Sequence, residues 1–253
     1  MGATGLSETR RIMVNGISKK FKGNAVFAVD NLSFVCRPGE ITGLLGENGA
    51  GKTTTLRILS TMLKPSSGSA VICGHDVRKN PSRVRRSIAV LFGGIPGLYD
   101  RLTGRENILY FAGLNGITEG SASARLEELV HMLDMAEYID RRAGTFSTGM
   151  LQKTAIARTL IHDPQVLLLD EPAAGLDMGS SRIIYDAINH YRTQGKTIIL
   201  SSHDIGVASG LCDNAIILHG GHSVVQGTME EVITGFSSLE EAFMEYTENR
   251  ITG

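Results

Sequence analysis

Gly46-Glu47-Asn48-Gly49-Ala50-Gly51-Lys52-Thr53 fits the phosphate-cradling pattern G-x-x-x-x-G-K-[ST] at every position. Ahead of it runs Ile41 to Leu45, an apolar stretch that reads as a buried strand. Behind it, Thr54-Thr55-Leu56-Arg57-Ile58-Leu59 reads as a helix. Strand, glycine loop and helix in this order let successive backbone N–H groups converge on the β- and γ-phosphates of a nucleotide, with the positive end of the helix dipole behind them. Gly46, Asn48, Gly49, Ala50, Gly51 and Thr54 are therefore expected to cradle the phosphates, Lys52 to bridge them, and the Thr53 hydroxyl to bind Mg²⁺. The chain holds 30 glycines, so chance matches to the loop alone arise, but the flanking strand and helix argue against one here.

Working outward, Val166-Leu167-Leu168-Leu169 is a second apolar strand, closed by the adjacent carboxylates Asp170 and Glu171. A strand that ends in an acid is unremarkable by itself. Downstream of a phosphate loop the pair acquires a mechanism: Asp170 holds Mg²⁺ through water, and Glu171 accepts a proton from the water that attacks the γ-phosphate. No N-K-x-D base-reading motif is present, which favours ATP over GTP. Strands at Val166–Leu169 and Thr197–Ser201 alternate with helices at Ser181–Tyr191 and Ile205–Cys212, the pattern of an α/β protein with a parallel sheet covered by helices. Earlier stretches, Ile12–Ile17, Ala25–Cys36, Ser69–Cys73 and Ile88–Leu91, read as strands. Helical periodicity takes over at Arg105–Leu114, Ala122–Leu133 and Gly149–His162. A hairpin around Gly220-Gly221 and two short helices, Met229–Thr234 and Leu239–Thr247, follow.

Composition narrows the class. With 253 residues, 42% hydrophobic and 20% charged, the chain can bury a sizeable core, and a formal net charge of −1 gives no reason to expect nucleic acid as a partner. Cys36, Cys73 and Cys212 show no metal-ligand spacing and suit a reducing compartment. No apolar run reaches the roughly 18 residues of a membrane span, and Met1 to Arg11 is too polar for a signal peptide.

Phe146-Ser147-Thr148-Gly149-Met150-Leu151-Gln152-Lys153 opens the last helix of the helical block. Here the chain resembles the ATPase subunit of an ABC transporter, whose signature reads L-S-G-G-Q and then x-Q-K/R. Ser147, Gly149, Gln152 and Lys153 match, whereas Phe146, Thr148 and Met150 depart. Without the resemblance, Ser147 is simply a good helix N-cap. With it, Ser147, Thr148 and Gly149 are implied to present a hydroxyl and helix N-terminal N–H groups to ATP held by a second chain. Gly175-Leu176-Asp177 then looks like the D-loop that couples two ATP sites, and a bare turn otherwise. Ser201-Ser202-His203-Asp204 looks like the switch region, in which His203 contacts the γ-phosphate and orients water. Phe21 stands where the family places an aromatic against adenine. The family's Gln after the strand Ile88–Leu91 is absent: the segment runs Phe92-Gly93-Gly94-Ile95-Pro96-Gly97-Leu98-Tyr99. Arg78, Lys79, Arg83, Arg85 and Arg86 read as a solvated face.

What the resemblance implies is a P-loop NTPase (RecA-like) core with an N-terminal antiparallel β subdomain, all within one ABC ATPase domain at 8–253, interrupted by a helical subdomain at 93–163. It implies a homodimer of ATPase subunits using ATP and Mg²⁺, peripheral on the cytoplasmic face of the cell membrane and bound to a permease on a separate chain. The groove near Gly93–Tyr99 is expected to receive that permease. Finer details resemble the Nat-type ATPase of sodium-extruding ABC exporters: Phe146-Ser147-Thr148-Gly149-Met150, Val90-Leu91-Phe92-Gly93, the stretch Leu98 to Asn107, and Ser238-Leu239-Glu240-Glu241-Ala242-Phe243. Export of a drug, antibiotic or polysaccharide, or a soluble regulatory ABC ATPase, are the alternatives. An ATPase of ribosomes or DNA usually carries two cassettes or a long coiled coil, and neither is seen in this sequence.

Overall fold

Two β-sheets converge on the glycine loop in the computed structural model, which describes residues 11–93 and 97–248. Strands β1 (Ile12–Lys19) and β2 (Val29–Cys36) pair antiparallel, Ile12 opposite Cys36 and Lys19 opposite Val29. On the other side of β1 lie β4 (Ser67–Ile72) and then β5 (His75–Asp76), giving the order β2-β1-β4-β5. Alternation along β1 and β2 buries Ile12, Val14, Leu32, Phe34 and Cys36 beneath this sheet.

The larger sheet has the order β10-β9-β3-β8-β7-β6. Its parallel members are β3 (Ile41–Leu45), β6 (Ile88–Leu91), β7 (Val166–Asp170), β8 (Thr197–Ser202) and β9 (Asn214–His219), with β10 (His222–Thr228) antiparallel at the edge. Every residue of β3 and β7 is buried, as expected of parallel strands covered on both faces. The side-chain period of two divides them between two cores: Leu44, Val166 and Leu168 face the core under the antiparallel sheet, while Ile41, Leu45, Leu167 and Leu169 face the helical side. Because β8 lies between β3 and β7, Leu45 pairs with Ser202 and Asp170 with Ser201. The glycine loop, the carboxylates and the β8 terminus thus share one sheet edge, the carboxyl end where α/β sheets bind ligands.

Helix α1 (Lys52–Leu59) follows the loop, and α2 (Pro81–Ser87) precedes β6. Between β6 and β7 stand α3 (Gly104–Leu114), α4 (Glu119–Met132) and α5 (Thr148–Leu160), packed through Ile108, Ala112, Leu126, Leu129, Ile156 and Leu160. Thr103 starts α3 with a reciprocal cap: its hydroxyl accepts from the Glu106 N–H, and its own N–H donates to Glu106. Helices α6 (Met178–Thr193), α7 (Ile205–Leu211), α8 (Met229–Ile233) and α9 (Leu239–Glu248) complete the chain.

Two readings of the sequence need correction. Residues Ala25 to Ala28 form no strand; Val26 is 74% exposed, and regular pairing begins at Val29. Helix α2, by contrast, went unread: it buries Val84 alone, so it shows no apolar stripe. Among the described residues no helix is long and apolar enough to cross a membrane, and no group of three or more His, Cys, Asp or Glu is placed to hold a metal ion.

Candidate functional site

The loop after β3 closes onto α1 through Gly51, whose φ of 108° lies in the left-handed region. A Cβ at Gly51 would stand 2.5 Å from the Ala28 carbonyl oxygen, and one at Gly46 would stand 2.5 Å from that of Leu218. Glycine at both ends lets the loop press against the β1–β2 connection and the end of β9. Lys52 is buried inside the curl, its Nζ donating to the carbonyls of Gly46 at 2.5 Å and Glu47 at 3.1 Å. Burial lowers its pKa, opposed by the charges of Glu171, Asp170 and Glu47. Beside it opens a cleft of about 400 Å³, walled by Glu47, Asn48, Gly49, Gly51, Lys52, Thr53, Thr54, Arg57, Phe92, Gly93, Asp170 and Glu171.

Asp170 ends β7 and is buried. One of its oxygens accepts from Thr53 Oγ1 at 2.8 Å, the other from Ser201 Oγ. Hydroxyl and carboxylate therefore stand side by side, as a Mg²⁺ held by few protein ligands and by phosphate oxygens requires. The residues present fit that ion, although they supply no all-protein cage.

Glu171 leaves the strand with φ 52°, its N–H donating to the Ser201 carbonyl at 3.1 Å and its carbonyl accepting from Ala174 at 3.2 Å. This turn carries its carboxylate to His203, with Oε2 and Nδ1 2.5 Å apart. Glu171 also borders a second cavity of about 360 Å³, shared with Leu176, Met178, Tyr185, Ser202, His203 and Asp204. An acid poised between the phosphate cleft and open space, joined to an imidazole, is arranged to take a proton from water.

Ser147 is the N-cap of α5: its Oγ accepts from the Met150 N–H at 3.3 Å, and its own N–H donates to Met150 Sδ at 3.4 Å. Gly149 is tucked against Ser180, where a Cβ would come 2.9 Å from Ser180 Oγ. That hydroxyl donates to Asp177, which caps α6 by accepting from the Ser180 N–H at 2.9 Å. Ser147, Thr148, Gly149 and Asp177 thus form a neighbouring surface and do not line their own chain's cleft. Gln152 joins this surface to the turn that carries Glu171 by donating to the Pro172 carbonyl at 2.7 Å.

Phe21 is placed less closely than its motif suggested: it is 39% exposed, lies under the Lys19 ammonium at 5.3 Å, and is not among the cleft walls. Gly93 does line the cleft, where the missing Gln was expected; of the groove near it, residues 94–96 lie outside the described residues. The sequence assigns no side-chain role to Arg57, Phe92 or Ser201. Arg57 was traceable, because residues four apart on a helix share a face and it follows Thr53 by four.

The ABC transporter family model matches residues 29–174. The ABC transporter ATP-binding protein NatA of Bacillus subtilis (strain 168) is 44% identical over 223 residues, 87% of this chain and 91% of that relative. The doxorubicin resistance ATP-binding protein DrrA of Mycobacterium tuberculosis (strain ATCC 25618 / H37Rv) is 39% identical over 221 residues, 87% of this chain and 66% of that relative. Among solved structures, a dimeric ATP-binding cassette in a post-hydrolysis state, bound to ADP and Pi, aligns with a TM-score of 0.77 at 25% identity, covering 86% of this chain and 98% of that one.

Proposed function

This chain belongs to the ABC transporter family as its ATP-binding, ATP-hydrolysing subunit, and we propose from that premise that two copies power the export of sodium ions through a separate membrane permease. The observation that carries the paired arrangement is the placement of Ser147 and Gly149. They form a capped helix N-terminus, an anion site by its dipole, that lies outside its own chain's cleft. Two copies facing each other bring each such terminus to the ATP in the other's cleft, and ATP then holds the pair together.

Within each cleft, Lys52 and the loop N–H groups hold the phosphates. Thr53 and Asp170 would hold Mg²⁺, which when bound neutralises charge on the transferring phosphoryl group. Glu171 takes the proton of the attacking water, and His203 orients that water and keeps the carboxylate in place. Helices α3 to α5, inside the block at 93–163, move as the pair closes, and hydrolysis reopens it. The permease docks beside residues 93–99, which puts the chain on the cytoplasmic face of the membrane.

Sodium is supported by the resemblance of Phe146–Met150, Val90–Gly93 and Ser238–Phe243 to the Nat-type ATPases, and by the 44% identity to NatA. The 39% identity to DrrA favours drug export as the second reading. Co-purification with the permease and reconstitution into vesicles separates them. ATP-driven sodium movement that Glu171→Gln abolishes is the expected result. Doxorubicin movement with a static sodium gradient would replace sodium by a drug, and ATP turnover that moves neither would overturn both.

A further inference from the structure

Arg57 stands one helical turn beyond Thr53 on the same face of α1, and it walls the cleft together with Lys52, Thr53 and Gly93. Its guanidinium carbon lies 5.7 Å from the centre of the Phe92 ring. Among the described residues no carboxylate pairs with that guanidinium. A guanidinium held over a ring face keeps N–H edges free, and those edges match phosphate oxygens in a fork. The ring also narrows the directions open to this exposed side chain, which removes part of the entropy that it would otherwise lose on binding an anion.

Gly93 keeps the approach open. The nearest heavy atom to a Cβ at that position would be the Asp170 carbonyl oxygen, at 3.4 Å, and the residue carries no side chain to fill the space between Phe92 and the carboxylates. Arg57 walls the same cleft as Asp170 and Glu171, the residues proposed to hold Mg²⁺ and to take the proton of the water that attacks the terminal phosphate, so the phosphate that lies beside those carboxylates is the terminal one. We propose that Arg57, braced by Phe92, binds the terminal phosphate of the nucleotide in this cleft and makes the site select triphosphate over diphosphate. This rests on the reading of the cleft as the ATP site. Arg57 is then a specificity residue whose contact exists with ATP and is absent with ADP.

Equilibrium titration of the full chain with ATP and with ADP tests it, using wild type, Arg57→Ala, Arg57→Lys and Lys52→Ala. Losing a charge-assisted contact should weaken ATP binding by about tenfold while ADP changes by less than about twofold. Arg57→Lys, which keeps the charge, should recover roughly threefold of that loss. Equal weakening of both nucleotides, no weakening of either, or no recovery by lysine would overturn the proposal, since a merely structural stack on Phe92 cannot tell the two nucleotides apart. Lys52→Ala separates the two levels of inference: if it leaves both affinities intact, the cleft is not the nucleotide site, whereas if it lowers both and Arg57→Ala does not discriminate, Arg57 alone is excluded.

Discussion

Replacing Glu171 by Gln removes the proposed proton acceptor while changing almost nothing else. The backbone bonds that set its φ of 52°, from its N–H to Ser201 and from Ala174 to its carbonyl, do not involve the carboxylate. The carboxylate's contact with His203 has side-chain exposures of 19% and 60%, so its loss removes a surface-type pair contributing roughly 0–1 kcal/mol to folding. For a chain of this size that is a fall of at most about 4 °C in melting temperature. Catalysis should suffer far more, because a general base contributes about 10²–10⁴-fold. At 1.36 kcal/mol per factor of ten, that is about 2.7–5.4 kcal/mol of barrier, several times the effect on stability. Phosphate release under saturating ATP measures the first quantity and a thermal melt the second. Gel filtration of the same variant should show a species of twice the monomer size with ATP and none with ADP. Turnover within about threefold of wild type, with ATP binding intact, would refute Glu171 as the acceptor. A monomer at all ATP concentrations would refute the shared pocket.

Gly51→Ala should destabilise the chain by roughly 2–4 kcal/mol, because φ is 108° and the new methyl meets the Ala28 carbonyl oxygen at 2.5 Å. Gly49→Ala, with φ 87° and open space around its Cβ, should cost only about 1–2 kcal/mol, and urea midpoints that fail to separate the two would sink the packing argument. His162 makes stability depend on pH. Burial lowers its pKa below the 6.5 of the unfolded chain, so the unfolded state binds more protons and stability falls as pH drops below 6.5. His162→Gln should flatten the change in denaturation midpoint between about pH 7.5 and 5.5 relative to wild type. An unchanged slope would assign the acid sensitivity to other groups.

The phosphate loop, the two carboxylates and the α5 cap were legible in the sequence because each is a local pattern with a local physical cause. Glycine supplies a φ that other residues resist, an apolar run of five supplies a buried strand, and serine supplies a cap. What stayed hidden depends on pairing across the chain. Ser201 reaches Asp170 only because β8 inserts beside β7 with Asp170 opposite Ser201. Phe92 meets Arg57 only because β6 ends next to α1. The apolar letters of Ala25, Val26 and Phe27 suggested a strand, yet they sit in the loop that leads to Ala28, the residue that presses on Gly51. Helix α2 was hidden for the opposite reason: one buried side chain, Val84, sets no period.

Asp170 and Glu171 illustrate how neighbours come to do different work. A regular strand would send successive side chains to opposite faces, leaving the two carboxylates unable to serve one cleft. The left-handed turn at Glu171 breaks that alternation, so Asp170 stays with Thr53 while Glu171 swings to His203. Both partners come from the end of β8: Ser201 holds Asp170, and His203, two residues on, holds Glu171. The next residue after Glu171, Pro172, accepts the hydrogen bond of Gln152 from α5. Gln152 lies five residues after Ser147 on the helix whose N-terminus does not line its own chain's cleft. Under the proposed pairing of two copies, a displacement of α5 would pull on Pro172, the neighbour of Glu171, the proposed proton acceptor. The helix proposed to face a partner and the carboxylate proposed to act in the chain's own cleft are linked by one side-chain bond and one peptide.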